Sequence, residues 1–363
     1  MKIKKKTIWL FVVIMAIIAL IIAFQQTKVP LSETETSTIK VGESVESTEP
    51  RVLEKEKQYQ RAIELISPDG YLNINNITIG EHVGKKVILV DFWTYSCINC
   101  QRTFPYLNSW WEKYKDKGLI IIGIHTPEFE FEKEKENVRE AIAKYSIKYP
   151  VVQDNNYFTW RAYKNRYWPR KYLIDIDGFV VYDHIGEGGY AETERKIIEL
   201  LEERNKILGS DINVNGKNIT SDDFIIIPSD LTSEVYFGYA FARGHLGNSE
   251  GWQSDKEIDY ALPLVLKKDK FYLEGKWKNN PDHMGLVSDT GKILLNYTAK
   301  DVHIVAGADA PTRIEVIIDG KERGNVEING YGLYTLANES EYNNHLMEIR
   351  ADKGLQAYTF TFG

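Results

Sequence analysis

The chain of 363 residues contains only two cysteines, Cys97 and Cys100, and two residues separate them. Two thiols at this spacing can close a small disulfide ring and reopen it, which is the chemistry of thiol–disulfide exchange. They follow the apolar run Val87-Ile-Leu-Val-Asp-Phe-Trp93, which predicts a buried strand, and they precede a helical pattern over 101–117. The sequence therefore predicts an exchange site at the turn between a strand and a helix.

The two cysteines are expected to have different roles. Only a thiolate attacks a disulfide, so the attacking cysteine must lose its proton near neutral pH. The start of a helix favours negative charge, because its first N–H groups are unpaired and the helix dipole is positive there. Cys97 lies at that start and is predicted to attack the partner disulfide. Cys100, one turn further and more buried, is predicted to resolve the mixed disulfide.

Asp91 is the best candidate for the base that takes the proton of Cys100. It interrupts the apolar strand six residues before Cys97, which predicts a position beneath the cysteines. Burial raises the pKa of a carboxyl group, and a raised pKa suits proton transfer near pH 7. The alternative is a structural aspartate bonded to backbone or water, and the pattern alone permits both.

A pair of cysteines at this spacing also occurs in zinc sites and in structural disulfides. A structural zinc needs four ligands, but there is no second cysteine pair, and neither His125 nor His184 has zinc-finger spacing. A disulfide across two residues closes too small a loop to add much stability. We expect no metal and no cofactor, although His125, which follows the apolar run 119–124, could lie near the cysteines.

Composition and periodicity divide the chain into five segments. Residues 1–24 are predicted to be a signal anchor and 25–62 a flexible tether, since the polar stretch within it cannot form a core. In 63–208 strands and helices alternate and end in a hairpin and a helix, which is the order of an α/β thioredoxin fold. A linker at 209–228 leads to 229–363, where short alternating runs predict an all-β sandwich, among them 291–297, 302–306, 333–336 and 346–350.

The N-terminus indicates a membrane anchor. Four lysines among the first six residues precede 17 uncharged apolar residues, Ile8 to Phe24. A helix of that length spans ~26 Å, close to the ~30 Å hydrocarbon core of a bilayer. A cleaved signal peptide is the alternative, although Ala23-Phe-Gln-Gln26 is a poor cleavage site. The basic flank predicts a single-pass cell-membrane protein with a cytoplasmic N-terminus and an extracytoplasmic catalytic domain.

The charge distribution argues against nucleic-acid binding. The net charge is −7, and residues 207–363 carry 15 Lys and Arg against 23 Asp and Glu, a net −8. A nucleic-acid-binding protein is expected to carry a basic patch or stripe, and the sequence has none.

Several stretches resemble the membrane-associated thioredoxin-like proteins of the TlpA/DipZ group, and most closely the extracytoplasmic part of the DipZ proteins. In the first half they are Val90-Asp-Phe-Trp-Thr-Tyr-Ser-Cys-Ile-Asn-Cys-Gln-Arg-Thr-Phe-Pro-Tyr-Leu107, Tyr167-Trp-Pro-Arg-Lys-Tyr-Leu-Ile-Asp175 and Gly186-Glu-Gly-Gly-Tyr-Ala-Glu-Thr-Glu194. In the second half they are Tyr236-Phe-Gly-Tyr-Ala240 and Ala357-Tyr-Thr-Phe-Thr-Phe-Gly363. The resemblance covers about 63–363 and implies a thioredoxin domain followed by a jelly-roll or carbohydrate-binding-like sandwich.

The resemblance also implies roles for individual residues. Cys97 matches the nucleophile, Cys100 the resolving thiol and Asp91 the buried acid. Pro169 matches the cis proline of the loop that faces the cysteines, whose neighbours pair with the backbone of the bound partner. Taken alone, Trp168-Pro169 is equally compatible with an ordinary trans turn.

The chain departs from the pattern of this group at two points. Thioredoxins have tryptophan directly before the first cysteine, whereas Ser96 stands here and Trp93 lies further back. We predict that Trp93, Ser96 and Trp168 border the substrate. DipZ proteins also carry a multi-helix electron-transfer domain, which one short anchor cannot replace. If the protein is a reductase, its electron donor is then expected to be a separate membrane protein.

These observations predict a membrane-anchored, extracytoplasmic thiol–disulfide oxidoreductase that exchanges disulfides with exported proteins, with reduction favoured over oxidation. One alternative is a glycan- or protein-binding sandwich with an accessory thioredoxin domain, in which Trp252, Tyr331 and Tyr334 could form a sugar platform. Core or surface packing of these aromatic residues is the simpler interpretation. A thiol peroxidase is the third hypothesis, but the pattern around a peroxidatic cysteine is represented only by Thr94.

Overall fold

The computed structural model describes residues 49–214 and 230–363. The predicted anchor at 1–24, the predicted tether up to residue 48 and the part of the predicted linker from residue 215 lie outside the described residues. Within the two described ranges, no helix combines the length and the apolar character needed to cross a bilayer.

The first domain contains a mixed sheet and helices within 49–214. Its strands are β1 Gln60–Arg61, β2 Gly70–Leu72, β3 Val87–Trp93, β4 Leu119–His125, β5 Val151–Gln153, β6 Arg170–Ile174 and β7 Phe179–Ile185. Its α-helices are α1 Pro50–Glu56, α2 Ile98–Tyr114, α3 Lys135–Lys144, α4 Phe158–Ala162 and α5 Tyr190–Leu208. Short 3-10 helices lie at Lys115–Lys117 and Glu130–Lys133.

The strands lie in the order β1-β7-β6-β3-β4-β5-β2. Strand β3 is parallel to β4 and antiparallel to β6, which forms a hairpin with β7. Residues of β3 alternate between two hydrophobic clusters, one on each face, so the whole strand is buried. The predicted thioredoxin order is confirmed. The sheet begins before residue 63, because its first strand, β1, lies in the range predicted as tether.

Helix α2 starts immediately after Cys97 and presents an apolar face to the sheet. Phe104, Leu107, Trp110 and Tyr114 recur at three- and four-residue spacings and are all buried. The helix continues into the 3-10 turn, and Gly118 then ends it with a φ of 108°, a conformation that favours glycine. Strands β2 and β5 and helix α4 were not predicted, because three to five residues give too short a periodic pattern.

The second domain is built from antiparallel strands within 230–363. They are β8 Val235–Tyr236, β9 Glu257–Tyr260, β10 Lys270–Asn279, β11 Met284–Leu286, β12 Thr290–Gly307, β13 Thr312–Ile318, β14 Lys321–Ile328, β15 Gly332–Asp352 and β16 Gln356–Phe362. The order is β14-β13-β15-β12-β10-β11-β16-β8, with β9 beside β10 and a further pairing of β12 with β16. Because β12, β10, β11 and β16 pair in a ring, the sheet closes around one large apolar core.

Two long strands replace four predicted short ones. The runs 291–297 and 302–306 both belong to β12, and the runs 333–336 and 346–350 both belong to β15. Irregularities in the β12–β15 register between Ala299 and Asp301, and between Val302 and His303, interrupt the side-chain alternation. Since a bulge shifts which side chains face the core, the sequence pattern breaks where the strand continues.

The two domains pack through aromatic side chains from the segment before α3. Phe129 lies 5.2 Å from the ring of Tyr358, and Phe131 lies 4.8 Å from Tyr358 and 5.2 Å from Tyr331, between ring centroids. Phe129 and Phe131 are 2% and 8% exposed, so the second domain shields them from water. The hydroxyl group of Tyr236 adds a polar contact by donating to a carboxylate oxygen of Glu128 at 2.6 Å.

We predict that Phe131→Ala lowers the free energy of unfolding by about 3 kcal/mol, since it leaves a cavity between the domains. The measurement is urea unfolding followed by circular dichroism. Phe158→Ala is the matched control, because Phe158 is 44% exposed and its removal is expected to cost less than ~1 kcal/mol. Equal losses for the two variants would show that this interface does not stabilise the fold.

Candidate active site

Cys97 and Cys100 lie at the start of α2, as free thiols in the structure. Cys97 is the N-cap residue and is partly exposed, whereas Cys100 is 0% exposed. The first helical turn, with its unpaired N–H groups, therefore begins at the partly exposed cysteine. Burial raises the pKa of the Cys100 thiol well above its usual value, and the adjacent Cys97 thiol raises it further. The geometry suits an attacking Cys97 and a resolving Cys100.

The loop before β6 faces the first cysteine. The Trp168–Pro169 peptide bond is cis, and the sulfur of Cys97 lies 4.0 Å from the carbonyl oxygen of Trp168. The indole ring of Trp168 packs on Trp160, with 4.3 Å between centroids, and donates to the carbonyl of Thr126 at 3.0 Å. These contacts fix the loop beside the thiol, where an extended partner peptide could lie.

Asp91 lies in the middle of β3 and is 0% exposed. Neither carboxylate oxygen has a hydrogen-bond partner among the described residues, so a structural role through backbone bonds is not supported. Burial raises the pKa of Asp91 to about 7, while the positive charge of Lys171 opposes this shift. A carboxyl group with such a pKa can both accept and release a proton near neutral pH.

Lys171 is a site residue that the sequence analysis missed. It is 0% exposed and lies directly opposite Asp91 in the antiparallel pairing of β3 with β6. Burial lowers the pKa of Lys171, and the nearby Asp91 and Cys100 oppose this shift. The signal in the sequence was a lysine inside a predicted strand, but only the register of the two strands reveals its neighbour.

Trp93 and Ser96 do not lie where they were predicted to meet a substrate. Trp93 is 0% exposed, because it is on the face of β3 that packs under α2, 5.2 Å from the ring of Phe104. Ser96 is 1% exposed, and its hydroxyl group donates to Glu132 at 2.6 Å. Both predictions of substrate contact are wrong for this conformation. Of the three, Trp168 is the residue that is partly exposed and whose carbonyl group lies beside the sulfur of Cys97.

Glu132 was also missed by the sequence analysis. It is 0% exposed and accepts hydrogen bonds from the backbone N–H groups of Glu128 and Phe129 at 2.6 and 3.0 Å, in addition to the one from Ser96. Burial raises the pKa of Glu132, and these donors oppose the shift. The carboxylate therefore ties the segment that precedes Cys97 to the segment that packs against the second domain.

His125 is close to the site but buried. It is 0% exposed and packs against Trp93 and Tyr95, with centroid distances of 4.8 and 5.7 Å. Burial lowers the pKa of His125 to about 3, so the imidazole is neutral at physiological pH. We assign it a packing role below the strand–helix turn.

Trp252, Tyr331 and Tyr334 do not form an exposed aromatic platform. Each is only partly exposed, and Trp252 and Tyr334 pack against the core of the second domain. Tyr331 instead stacks on Phe131 at the domain interface. The indole N–H group of Trp252 donates to the carbonyl of Phe237 at 2.7 Å, and the hydroxyl group of Tyr334 to that of Asn329 at 3.0 Å. The interpretation as packing residues fits these contacts.

Two family models match the chain. The AhpC/TSA family matches residues 60–183, and the thioredoxin like C-terminal domain matches residues 232–363. The chain is 33% identical over 121 residues to the thiol-disulfide oxidoreductase ResA of Bacillus cereus, covering 31% of this chain and 67% of ResA. It is 28% identical over 140 residues to the thiol-disulfide oxidoreductase YkuV of Bacillus subtilis, covering 39% of this chain and 93% of YkuV.

The fold, the site and these relatives define the chain as a thioredoxin-like protein with two free thiols at the start of α2. A longer match is to the protein DipZ of Mycobacterium bovis, with 38% identity over 281 residues, or 77% of this chain. The chain belongs to the thioredoxin-like proteins, as the match to ResA at 33% identity over 67% of that protein shows, and it is DipZ-like over the longer match. It spans 39% of the length of DipZ.

The buried acid gives a prediction about stability and pH. An unfolded Asp91 ionises from its usual pKa of 3.8, whereas the folded protein holds the proton until about pH 7. The free energy of unfolding therefore falls as the pH rises through this window, and Asp91→Asn removes this pH dependence. We expect the stability of the variant relative to the reduced wild type to increase by on the order of 2 kcal/mol between pH 5 and pH 8.

The measurement is urea unfolding of both reduced proteins at the two pH values. Asp116→Asn, at an exposed position, is the control and is expected to show no such growth. If the free energies of unfolding of the variant and the wild type differ by the same amount at both pH values, the pKa of Asp91 is not raised.

Proposed function

We propose that the protein reduces disulfide bonds of exported proteins, held at the outer face of the cell membrane by the apolar segment at 8–24. The observation that carries the exchange chemistry is the pair of thiols beside the cis-proline loop. One sulfur is reachable and lies 4.0 Å from the carbonyl of Trp168, and the other is buried. The extracytoplasmic location is supported by the basic N-terminus and the apolar run that follows it.

The reaction has two exchange steps. The thiolate of Cys97 attacks one sulfur of the partner disulfide, a mixed disulfide forms, and the other partner sulfur leaves as a thiolate that takes up a proton. Cys100 then gives its proton to the carboxylate of Asp91, and its thiolate attacks the sulfur of Cys97. The bond between Cys97 and the partner breaks, and the released partner sulfur takes up a proton. The partner leaves as a dithiol, and two electrons have passed to it from Cys97 and Cys100.

The surface beside Cys97 includes the cis-proline loop, where Tyr167 is 50% exposed. Arg102 in α2 pairs with Glu187 at 3.2 Å. We propose that the partner binds in an extended conformation along residues 167–169 through backbone hydrogen bonds. A separate membrane dithiol donor returns Cys97 and Cys100 to the reduced form.

The second domain stabilises the site and could carry a binding function of its own. Its strands close in a ring around one core, and the three aromatic residues that could have formed a sugar platform are engaged in packing. We therefore favour a structural role next to the thioredoxin domain. The AhpC/TSA match leaves peroxide reduction as the second candidate, yet the hydroxyl group of Thr94 is buried beside His125 rather than directed at a peroxide site.

We predict that Cys97→Ser abolishes reduction of insulin disulfides by the purified protein with dithiothreitol as the electron source. Cys100→Ala is expected to retain the attack but not the resolution, so it accumulates a mixed disulfide with the partner. The readouts are the turbidity of reduced insulin and non-reducing electrophoresis. Retained activity in Cys97→Ser, or no mixed disulfide in Cys100→Ala, would contradict the proposed exchange.

A further inference from the structure

A buried lysine lies under the two cysteines without an evident structural need. Lys171 is the lysine with no exposed surface among the described residues. Moving an ammonium group out of water costs several kcal/mol unless a countercharge and hydrogen bonds compensate. The proposed exchange mechanism, as written so far, does not use this side chain.

The sheet register places Lys171 next to the acid. Asp91 and Lys171 are directly opposite residues of β3 and β6, so their side chains point to the same face of the sheet, with Cβ atoms ~5 Å apart. That face carries Trp93 and packs against α2, where Cys100 lies. The lysine is therefore on the side of the sheet where the proton of Cys100 must go.

The hydrogen bonds of Lys171 connect it to the cis-proline loop. Its ammonium group donates to the carbonyl of Gly186 at 3.3 Å, and the N–H group of Gly186 donates to the carbonyl of Pro169 at 2.8 Å. The ammonium also lies 5.9 Å from the centroid of the Tyr190 ring. One long hydrogen bond and a ring contact leave most of the charge uncompensated, so Asp91 is the natural counterion.

Other titratable groups also face the pair. From α2 and its N-cap these are Cys100 and Cys97. From the segment before β5 it is Tyr149, whose buried hydroxyl group has no hydrogen-bond partner among the described residues. From the loop after β7 it is Glu187, which pairs with Arg102. From β7 it is His184, which lies directly opposite Lys171 in the pairing of β6 with β7. His184 and Arg102 are both partly exposed, so Lys171 is the cation that is fully buried beside Asp91.

We infer that Lys171 is a positioning residue of the resolving step, whose ammonium group keeps the Asp91 carboxylate available as the acceptor of the Cys100 proton at neutral pH. This inference rests on the proposed function. During the step the proton moves from the sulfur of Cys100 to Asp91, and the electron pair of the thiolate forms the bond to the sulfur of Cys97. The bond between Cys97 and the partner breaks, and the partner sulfur leaves as a thiolate. Lys171 keeps its protons throughout and offsets the negative charge that moves between the two groups.

The test separates attack from resolution with Ellman's reagent. Attack by Cys97 on this aromatic disulfide releases one thionitrobenzoate, and resolution by Cys100 releases the second, so stopped-flow absorbance at 412 nm gives two phases. In Lys171→Met we expect the pH dependence of the second phase to move up by about one unit, which lowers the ionised fraction of Asp91 at pH 7 and slows this phase about fivefold. The first phase should keep its wild-type rate.

Three variants complete the design. Lys144→Met removes an exposed charge from α3 and should leave both phases unchanged. Lys171→Gln gives the same measurement if the methionine variant does not fold. In the Asp91→Asn background, Lys171→Met should add no further slowing, because the group on which the lysine acts is gone.

The outcomes distinguish the inference from the proposed function. A second phase with wild-type rate and pH dependence in Lys171→Met overturns the inference, and so does equal slowing by Lys171→Met with and without Asp91. Release of a single thionitrobenzoate by the wild-type protein would instead overturn the proposed two-step exchange itself.

Discussion

The carboxyl group of Asp91 is held in a fully buried position without a hydrogen-bond partner in the described part of the chain, and the site depends on this constraint. A carboxylate in such a place is costly, so its proton is held until about pH 7. The packing of hydrophobic clusters on both faces of β3 stabilises the fold and offsets the free-energy cost of removing this carboxyl group from water. A surface aspartate would be ionised at neutral pH and too weak a base to take a proton from a thiol.

The second domain helps to fix the segment before Cys97. Phe129 and Phe131 pack against its aromatic residues, and the same segment carries Glu132, which holds Ser96 next to Cys97. Where thioredoxins place a tryptophan in front of the first cysteine, this chain has a buried serine bonded to a buried glutamate. The segment before the nucleophile is therefore fixed by the domain interface, and its side chains are not available to a partner.

Local features of the site could be predicted from the sequence, whereas its long-range contacts could not. The apolar run of β3, the helical spacing of α2 and the position of Cys97 between them follow from periodicity over fewer than twenty residues. Trp93 and Ser96 were misassigned because their surroundings are set by α2 and by Glu132, 36 residues further along the chain. Lys171 was missed because its relation to Asp91 exists only in the β3–β6 register. In the second domain, bulges within β12 split one strand into two apparent runs.

Asp91 is expected to change its protonation near neutral pH when the cysteines are reduced. Carbon-13 NMR of the side-chain carboxyl carbon of Asp91, followed from pH 4 to pH 9 in the reduced protein, measures this change at the group itself. We expect a titration midpoint at about pH 7. A midpoint near pH 4, as for an aspartate in water, would show that the buried site does not hold the proton.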